Sequence, residues 1–210
     1  MIQGSPEWFA ARIGKVTASR VSAVVAKSSN GKGYGVSRSN YMADLIAERL
    51  TGESVVQYVS PAMDRGKQVE EEAREAYSFL YEPVEQVGFI PHPRLDRSGA
   101  SPDGRVGMSG LVQFKCPNTA THIDTLLGAS SIPKAYRDQM TWEMVCDERE
   151  WCDFVSFDPR MPANMRLCRI RFDLDLEYAI DLEVEVRKFL SELDAKLAEL
   201  MAKFGMEGRP

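Results

Sequence analysis

The chain has 210 residues, 44% of them hydrophobic and 27% charged, which suits a single larger domain of ordinary globular composition. No apolar run approaches the roughly 18–20 residues needed to cross a bilayer. The amino terminus lacks a charged start followed by an apolar stretch, so no secretory signal is expected and a cytosolic location follows. The net charge of −5 would argue against a polyanionic ligand if it were spread evenly.

It is not spread evenly. Between Trp8 and Ala43 there are six bases (Arg12, Lys15, Arg20, Lys27, Lys32, Arg38) and no acid, whereas residues 173–200 carry nine acids and three bases. A locally positive segment can collect phosphates while the far surface stays acidic for solubility. Bases scattered over a solvated face are the equal alternative.

In chain order, the first element expected is a helix capped by Ser5, with Pro6 in its first turn and Trp8 facing inward. Residues 28–35 (SSNGKGYG) read as a flexible basic loop. Helices are expected over about 39–50, ending at Thr51-Gly52, and over about 60–81. Alternation and β-branched content predict strands at 84–90, 110–116, 151–157 and 166–172, with a helix at about 135–146. The last segment places Val186, Phe189, Leu190, Leu193, Leu197, Leu200, Met201 and Phe204 at spacings of three and four. That is an amphipathic helix, expected to pack on the core, with a subunit contact as the alternative.

No internal repeat or interdomain linker is visible. The chain reads as one domain, with N-terminal helices and the basic loop over 1–59, a core over 60–173 and a C-terminal helix over 174–205. The fold class expected is α/β, a small central mixed β-sheet flanked by helices. Cys116, Cys146, Cys152 and Cys168 have no zinc-type spacing and read as reduced, mostly buried thiols. His92 and His122 are the only histidines, outside any metal-ligand spacing, so solvated or packing roles are expected.

One region carries chemistry. Ser101-Pro102-Asp103-Gly104 has the composition of a tight turn, and six residues after it begins the strand Gly110-Leu111-Val112-Gln113-Phe114-Lys115-Cys116. Strand alternation sends Val112, Phe114 and Cys116 to one face and Gln113 and Lys115 to the other. A lysine on a strand that otherwise looks buried needs a partner, and Asp103 is the natural one. A carboxylate, an amide and an ammonium are thereby gathered at one spot.

Pro102-Asp103, nine intervening residues and Gln113-Phe114-Lys115 resemble the PD-(D/E)xK nuclease signature. Taken alone that pattern is loose. The flanking segments sharpen it: ARIGKVTAS (11–19), RGKQVEEEA (65–73), FKCP (114–117), AYRDQMTWEM (135–144) and FDPRM (157–161), in this order. Together they resemble the phage lambda exonuclease and YqaJ-type viral recombinase family, over roughly Glu7 to Met161.

The resemblance implies a restriction-endonuclease-like core and a magnesium-dependent nuclease (manganese as a substitute, one or two ions per site). Such an enzyme degrades one strand of linear double-stranded DNA in the 5′→3′ direction from 5′-phosphorylated ends, leaving 3′ single strands for recombination. It implies Asp103, residue 113, the Phe114 backbone carbonyl and Glu70 as metal ligands, and Lys115 as the catalytic lysine. Arg12, Ser19, Ser101 and Gln139 are implied to cradle the terminal 5′ phosphate, a role suited to a guanidinium with hydroxyl and amide donors. A phage or prophage origin, a homotrimeric ring around DNA and a single-strand annealing partner are implied as well. Met63-Asp64-Arg65, Lys32 and Tyr34 are candidates to border or touch duplex DNA. The family has glutamate where this chain has Gln113. The glutamine implies a chain that recognises its substrate but cuts poorly, whether as a natural variant with altered metal affinity or through a Glu→Gln substitution. A non-catalytic DNA-end-binding protein and an endonuclease of the same superfamily are the competing readings.

Overall fold

The computed structural model describes residues 1–55, 61–128 and 131–205; the side chains of 61–68, and with them the Met63-Asp64-Arg65 segment expected to border DNA, lie outside the described set. The chain runs through helix α1 (Pro6–Arg12), strand β1 (Val16–Thr17), and helices α2 (Val21–Val24), α3 (Val36–Thr51) and α4 (Pro61–Leu80). Five strands follow: β2 (Val84–Glu85), β3 (Ile90–Pro91), β4 (Ser98–Ala100), β5 (Gly104–Val106) and β6 (Gly110–Lys115). Helices α5 (Thr119–Leu126) and α6 (Lys134–Cys146), strands β7 (Trp151–Phe157) and β8 (Leu167–Asp173), and helix α7 (Leu176–Phe204) complete it.

Local chemistry sets the helix ends. Ser5 Oγ accepts from the Trp8 N–H at 3.3 Å to start α1, and Asp175 accepts from the Tyr178 N–H at 3.1 Å to start α7. Gly52 and Gly205 close α3 and α7 with φ of 73° and 65°, a conformation that glycine adopts without strain.

The main sheet has strand order β2-β5-β6-β7-β8, and a small second sheet has order β1-β4-β3. In the main sheet β6 and β7 are parallel and the other pairs antiparallel, so it is mixed, as expected. A parallel pair needs a long crossover, here supplied by α5 and α6. On one face of the sheet Val112, Phe114 and Val155 pack with Ala73 and Tyr77 of α4. On the other, Leu111, Cys152 and Phe154 pack with Met140 and Met144 of α6. Trp142 and Cys146 of the same helix belong to a third cluster, built with Val21, Tyr41 and the inward face of α7. Helix α6 is therefore enclosed on two sides, which buries even Asp138 and Glu143.

Several expectations need correcting. The strand expected at 84–90 is two short strands in different sheets, β2 beside β5 and β3 beside β4. Gly88 between them passes so close to the amino terminus that a Cβ would lie 2.5 Å from the Met1 carbonyl oxygen. The SPDG segment does not fold back as a tight turn; it carries the chain from β4 in the small sheet to β5 in the main one. Residues 28–35 are tied down rather than loose. Lys27 and Tyr34 form a β-bridge, Ser28 Oγ donates to the Lys32 carbonyl at 2.6 Å, and the Tyr34 hydroxyl donates to Glu185 on α7 at 2.6 Å.

Both histidines take packing roles. His122 has its ring nitrogens 2.8 Å from Ser156 Oγ and from the Met165 carbonyl, and His92 lies against Trp142. Cys146 and Cys152 are buried, and Cys116 and Cys168 are half-buried. Helix α7 packs on the core through Leu182, Val186, Phe189, Leu190 and Leu193, while Leu200 and Phe204 in its last turns are exposed. Among the described residues no helix is long and apolar enough to cross a membrane.

Candidate active site

The short strand β5 decides where the site lies. It pairs with β6 only from Gly104 opposite Val112 to Val106 opposite Gly110, whereas β6 runs on to Lys115. Residues 113–115 are left without a β5 partner on that edge, and Asp103, the residue before β5, closes against them. Its Oδ2 accepts from the Phe114 N–H at 2.7 Å and from Gln113 Nε2 at 2.5 Å. In a strand the N–H and C=O of one residue leave on the same edge. The Phe114 carbonyl therefore points to the Asp103 side.

Strand alternation works as the sequence predicted. Val112 and Phe114 pack toward α4, while Gln113 and Lys115 face α6. Gln113 Oε1 accepts from Gln139 Nε2 at 3.1 Å, and the Lys115 ammonium sits 4.8 Å from the centre of the Tyr136 ring. Desolvation raises the Asp103 carboxyl to about 7 against the pull of Lys115, and repulsion from Glu70 adds to the rise. Glu70, on α4, is also raised, chiefly by desolvation; its Oε1 accepts from Arg74 at 2.8 Å. Asp103, Glu70 and Lys115 thus share one poorly solvated space.

An oxygen-rich set with two mutually repelling carboxylates suits a hard divalent cation, which would offset the repulsion. The amide at 113 fits less well, because its nitrogen and not its oxygen faces Asp103. Among the described residues no group of three or more His, Cys, Asp or Glu side chains is placed to hold a metal, consistent with an amide replacing a carboxylate here.

A second constellation lies beside the first. Ser101 Oγ accepts from Arg12 Nη1 at 3.1 Å and from Trp8 Nε1 at 3.0 Å. Both hydroxyl lone pairs are engaged, which leaves its hydrogen to be donated outward. The Arg12 guanidinium stacks 4.1 Å over the Trp8 ring, and burial lowers its pKa without discharging it. Ser19 Oγ is 3.4 Å from Thr17 Oγ1. Arg12, Ser19, Glu70 and Asp103 open onto one cavity of 1230 Å³, whose wall also includes Lys15 and Arg20. Gln139 is turned inward, its Nε2 donating both to Gln113 and to Glu143 Oε1, the latter at 2.8 Å.

Three participants escaped the sequence reading. The Trp8 N–H was hidden by reading the ring only as an inward-facing apolar group. Arg74 lies on the same helix as Glu70, one turn on, a spacing that pairs opposite charges. Glu143, one turn after Gln139, has no solvent exposure; desolvation and the nearby Asp103 raise it to about 8, and its Oε2 has no hydrogen-bond partner among the described residues. Its signal was faint: a charge between two large apolar residues, Trp142 and Met144.

Comparison with known proteins bears on this geometry. No match was found among curated proteins. Among solved structures, an alkaline exonuclease from Laribacter hongkongensis, LHK-Exo, is 44% identical, with 97% of this chain and 100% of that chain covered and a TM-score of 0.87. The same LHK-Exo in complex with dAMP aligns with a TM-score of 0.88 at the same identity and coverage. A phage-related exonuclease from Haemophilus somnus 129PT shares the fold at 15% identity, with 90% of this chain and 96% of that chain covered and a TM-score of 0.66. The description of the YqaJ-like viral recombinase domain matches residues 7–150, and the chain belongs to that family of nucleases.

Proposed function

We propose that the chain is built as a magnesium-dependent exonuclease that digests one strand of linear duplex DNA, 5′→3′, from a 5′-phosphorylated end. The observation that carries this reading is the meeting of Asp103, residue 113 and Lys115 at the open end of β6, beside the Arg12–Ser101 pair. Asp103, the Phe114 carbonyl and residue 113 would hold the ion, and Glu70 would complete its shell or help to hold a second. When bound, Mg²⁺ (or Mn²⁺) supplies a polarised phosphate and an attacking water of lowered pKa. Lys115 orients that water and stabilises charge on the scissile phosphate. Arg12, Ser101 and Ser19 grip the terminal phosphate, while Gln139 keeps both of its N–H groups on Gln113 and Glu143 and orients residue 113. That LHK-Exo was crystallised with dAMP, a nucleoside monophosphate, supports a site for terminal nucleotides.

The apolar stripe Leu176, Ile180 and Val184 on the outer face of α7, each more than half exposed, supports a subunit contact and with it a ring-shaped homotrimer. A single-strand annealing protein would take the product strand. The amide–carboxylate bond between Gln113 and Asp103 favours a second reading for the chain as it stands, a binder of DNA ends that cuts slowly.

The test is a digestion time course on linear duplex with and without a 5′ phosphate, using the Gln113→Glu chain. Magnesium-dependent shortening, at least tenfold faster with the phosphate and greatly slowed by Arg12→Ala, is expected. An inert Gln113→Glu protein would leave only the end-binding reading, and cutting of closed circular duplex would make it an endonuclease.

A further inference from the structure

Glu143 is the far, fully buried end of a chain of hydrogen bonds that begins at Asp103. Gln113 donates to Asp103, Gln139 donates to Gln113 Oε1, and the same Gln139 nitrogen donates to Glu143 Oε1. Every bond in this chain has a direction. A glutamine side chain has an accepting end and a donating end, so turning one amide over obliges its neighbour to turn too. Turning Gln139 would set its carbonyl against Glu143 Oε1, acceptor against acceptor, in a place without solvent exposure.

Resting on the proposed function of this site, we propose that Glu143 is a positioning residue: it locks Gln139 with its N–H₂ toward residue 113 and so makes position 113 require an acceptor on both sides. Glutamate meets that requirement. One of its oxygens takes the Gln139 N–H and the other is free for a cation held with Asp103. Glutamine does not meet it. To offer its oxygen to the cation, Gln113 must turn its N–H₂ onto the N–H₂ of Gln139, and Glu143 prevents Gln139 from yielding. The near-isosteric exchange at 113 is thus magnified by a residue that never touches it.

The lock predicts opposite effects of one substitution in two backgrounds, an inversion that loss of packing alone would not produce. The measurement is calorimetric Mg²⁺ binding at pH 9, where Glu143, raised to about 8, is ionised and can only accept. In the chain as it stands, Glu143→Met frees the two amides to turn together, and Mg²⁺ affinity should rise several-fold. In the Gln113→Glu chain the same change removes the support that orients the ligand, and affinity should fall about tenfold. Glu143→Gln, which can present either end to Gln139, should match Glu143→Met in the first background and stay within about twofold of its parent in the second; it also serves if the methionine variant does not fold. Effects of the same sign in both backgrounds, or no effect, would overturn the role of Glu143 alone, provided Gln113→Glu binds Mg²⁺ and Asp103→Asn abolishes that binding. No Mg²⁺ binding in any variant would overturn the metal reading and this proposal with it.

Discussion

Two aspartates of the main sheet, one on β7 and one just before β5, have opposite surroundings. Asp153, on β7, has no solvent exposure and is saturated by fixed partners: the Tyr77 hydroxyl at 2.6 Å, Arg171 Nε at 2.5 Å across the strand pair, and Arg169 at 3.5 Å. Asp103, before β5, takes two hydrogen bonds on one oxygen and shares its space with Glu70, with Lys115, and with an Arg74 that is already bonded to Glu70 and Glu71. The first brings its own cations. The second is short of positive charge and pays for that in stability, as a site does when it is shaped for something that arrives later.

The largest expected effect separates the two. In the Gln113→Glu chain, Asp103→Asn should lower cleavage on the order of a thousandfold or more while leaving thermal stability equal or higher, because a strained charge is removed. Asp153→Asn should do the reverse. It leaves two arginines without their carboxylate and should cost ~2–3 kcal/mol, after allowing for their exposure to water, with cleavage per folded molecule nearly unchanged. Thermal melts beside initial rates check both. If Asp103→Asn melted like Asp153→Asn, the contrast would fail.

A smaller effect comes from pH. An acid raised on folding holds its proton more tightly folded than unfolded, so its contribution is full below the unfolded value and is lost as pH rises through the folded one. Asp103, raised to about 7, and Glu143, raised to about 8, should therefore make the metal-free protein less stable as pH climbs from about 4 to about 8. The fall should be on the order of 5 °C in Tm. Magnesium needs deprotonated ligands, so the rise in Tm that it gives the Gln113→Glu chain should be larger at pH 8.5 than at pH 6. A metal-free melting temperature flat across that range would contradict the assigned environments.

Legibility in the sequence followed element length and the number of faces buried. Strands β6 and β7 and helices α3, α4 and α6 were readable because each is long enough for its pattern to repeat. Strands β4 and β5 have three residues each and contain glycine, too little for any alternation to register. Helix α5 was hidden by its threonines, although Asn118, which caps it by accepting from the Thr121 N–H at 2.9 Å, was there to be read. In the candidate site, Gln113 and Lys115 followed from alternation, Asp103 from the lysine's need for a charge partner, and the remaining positions from family resemblance. Glu143 was illegible because a charge in a helix reads as solvent-facing, and only the enclosure of α6 between two clusters makes it otherwise.

The most direct test of the central claim is the anomalous scattering of Mn²⁺ soaked into crystals of the Gln113→Glu chain. A peak at coordination distance from the Asp103 carboxylate, the residue 113 carboxylate and the Phe114 carbonyl oxygen is predicted. Manganese bound elsewhere, or no ordered ion beside Asp103 at saturating concentration, would contradict it.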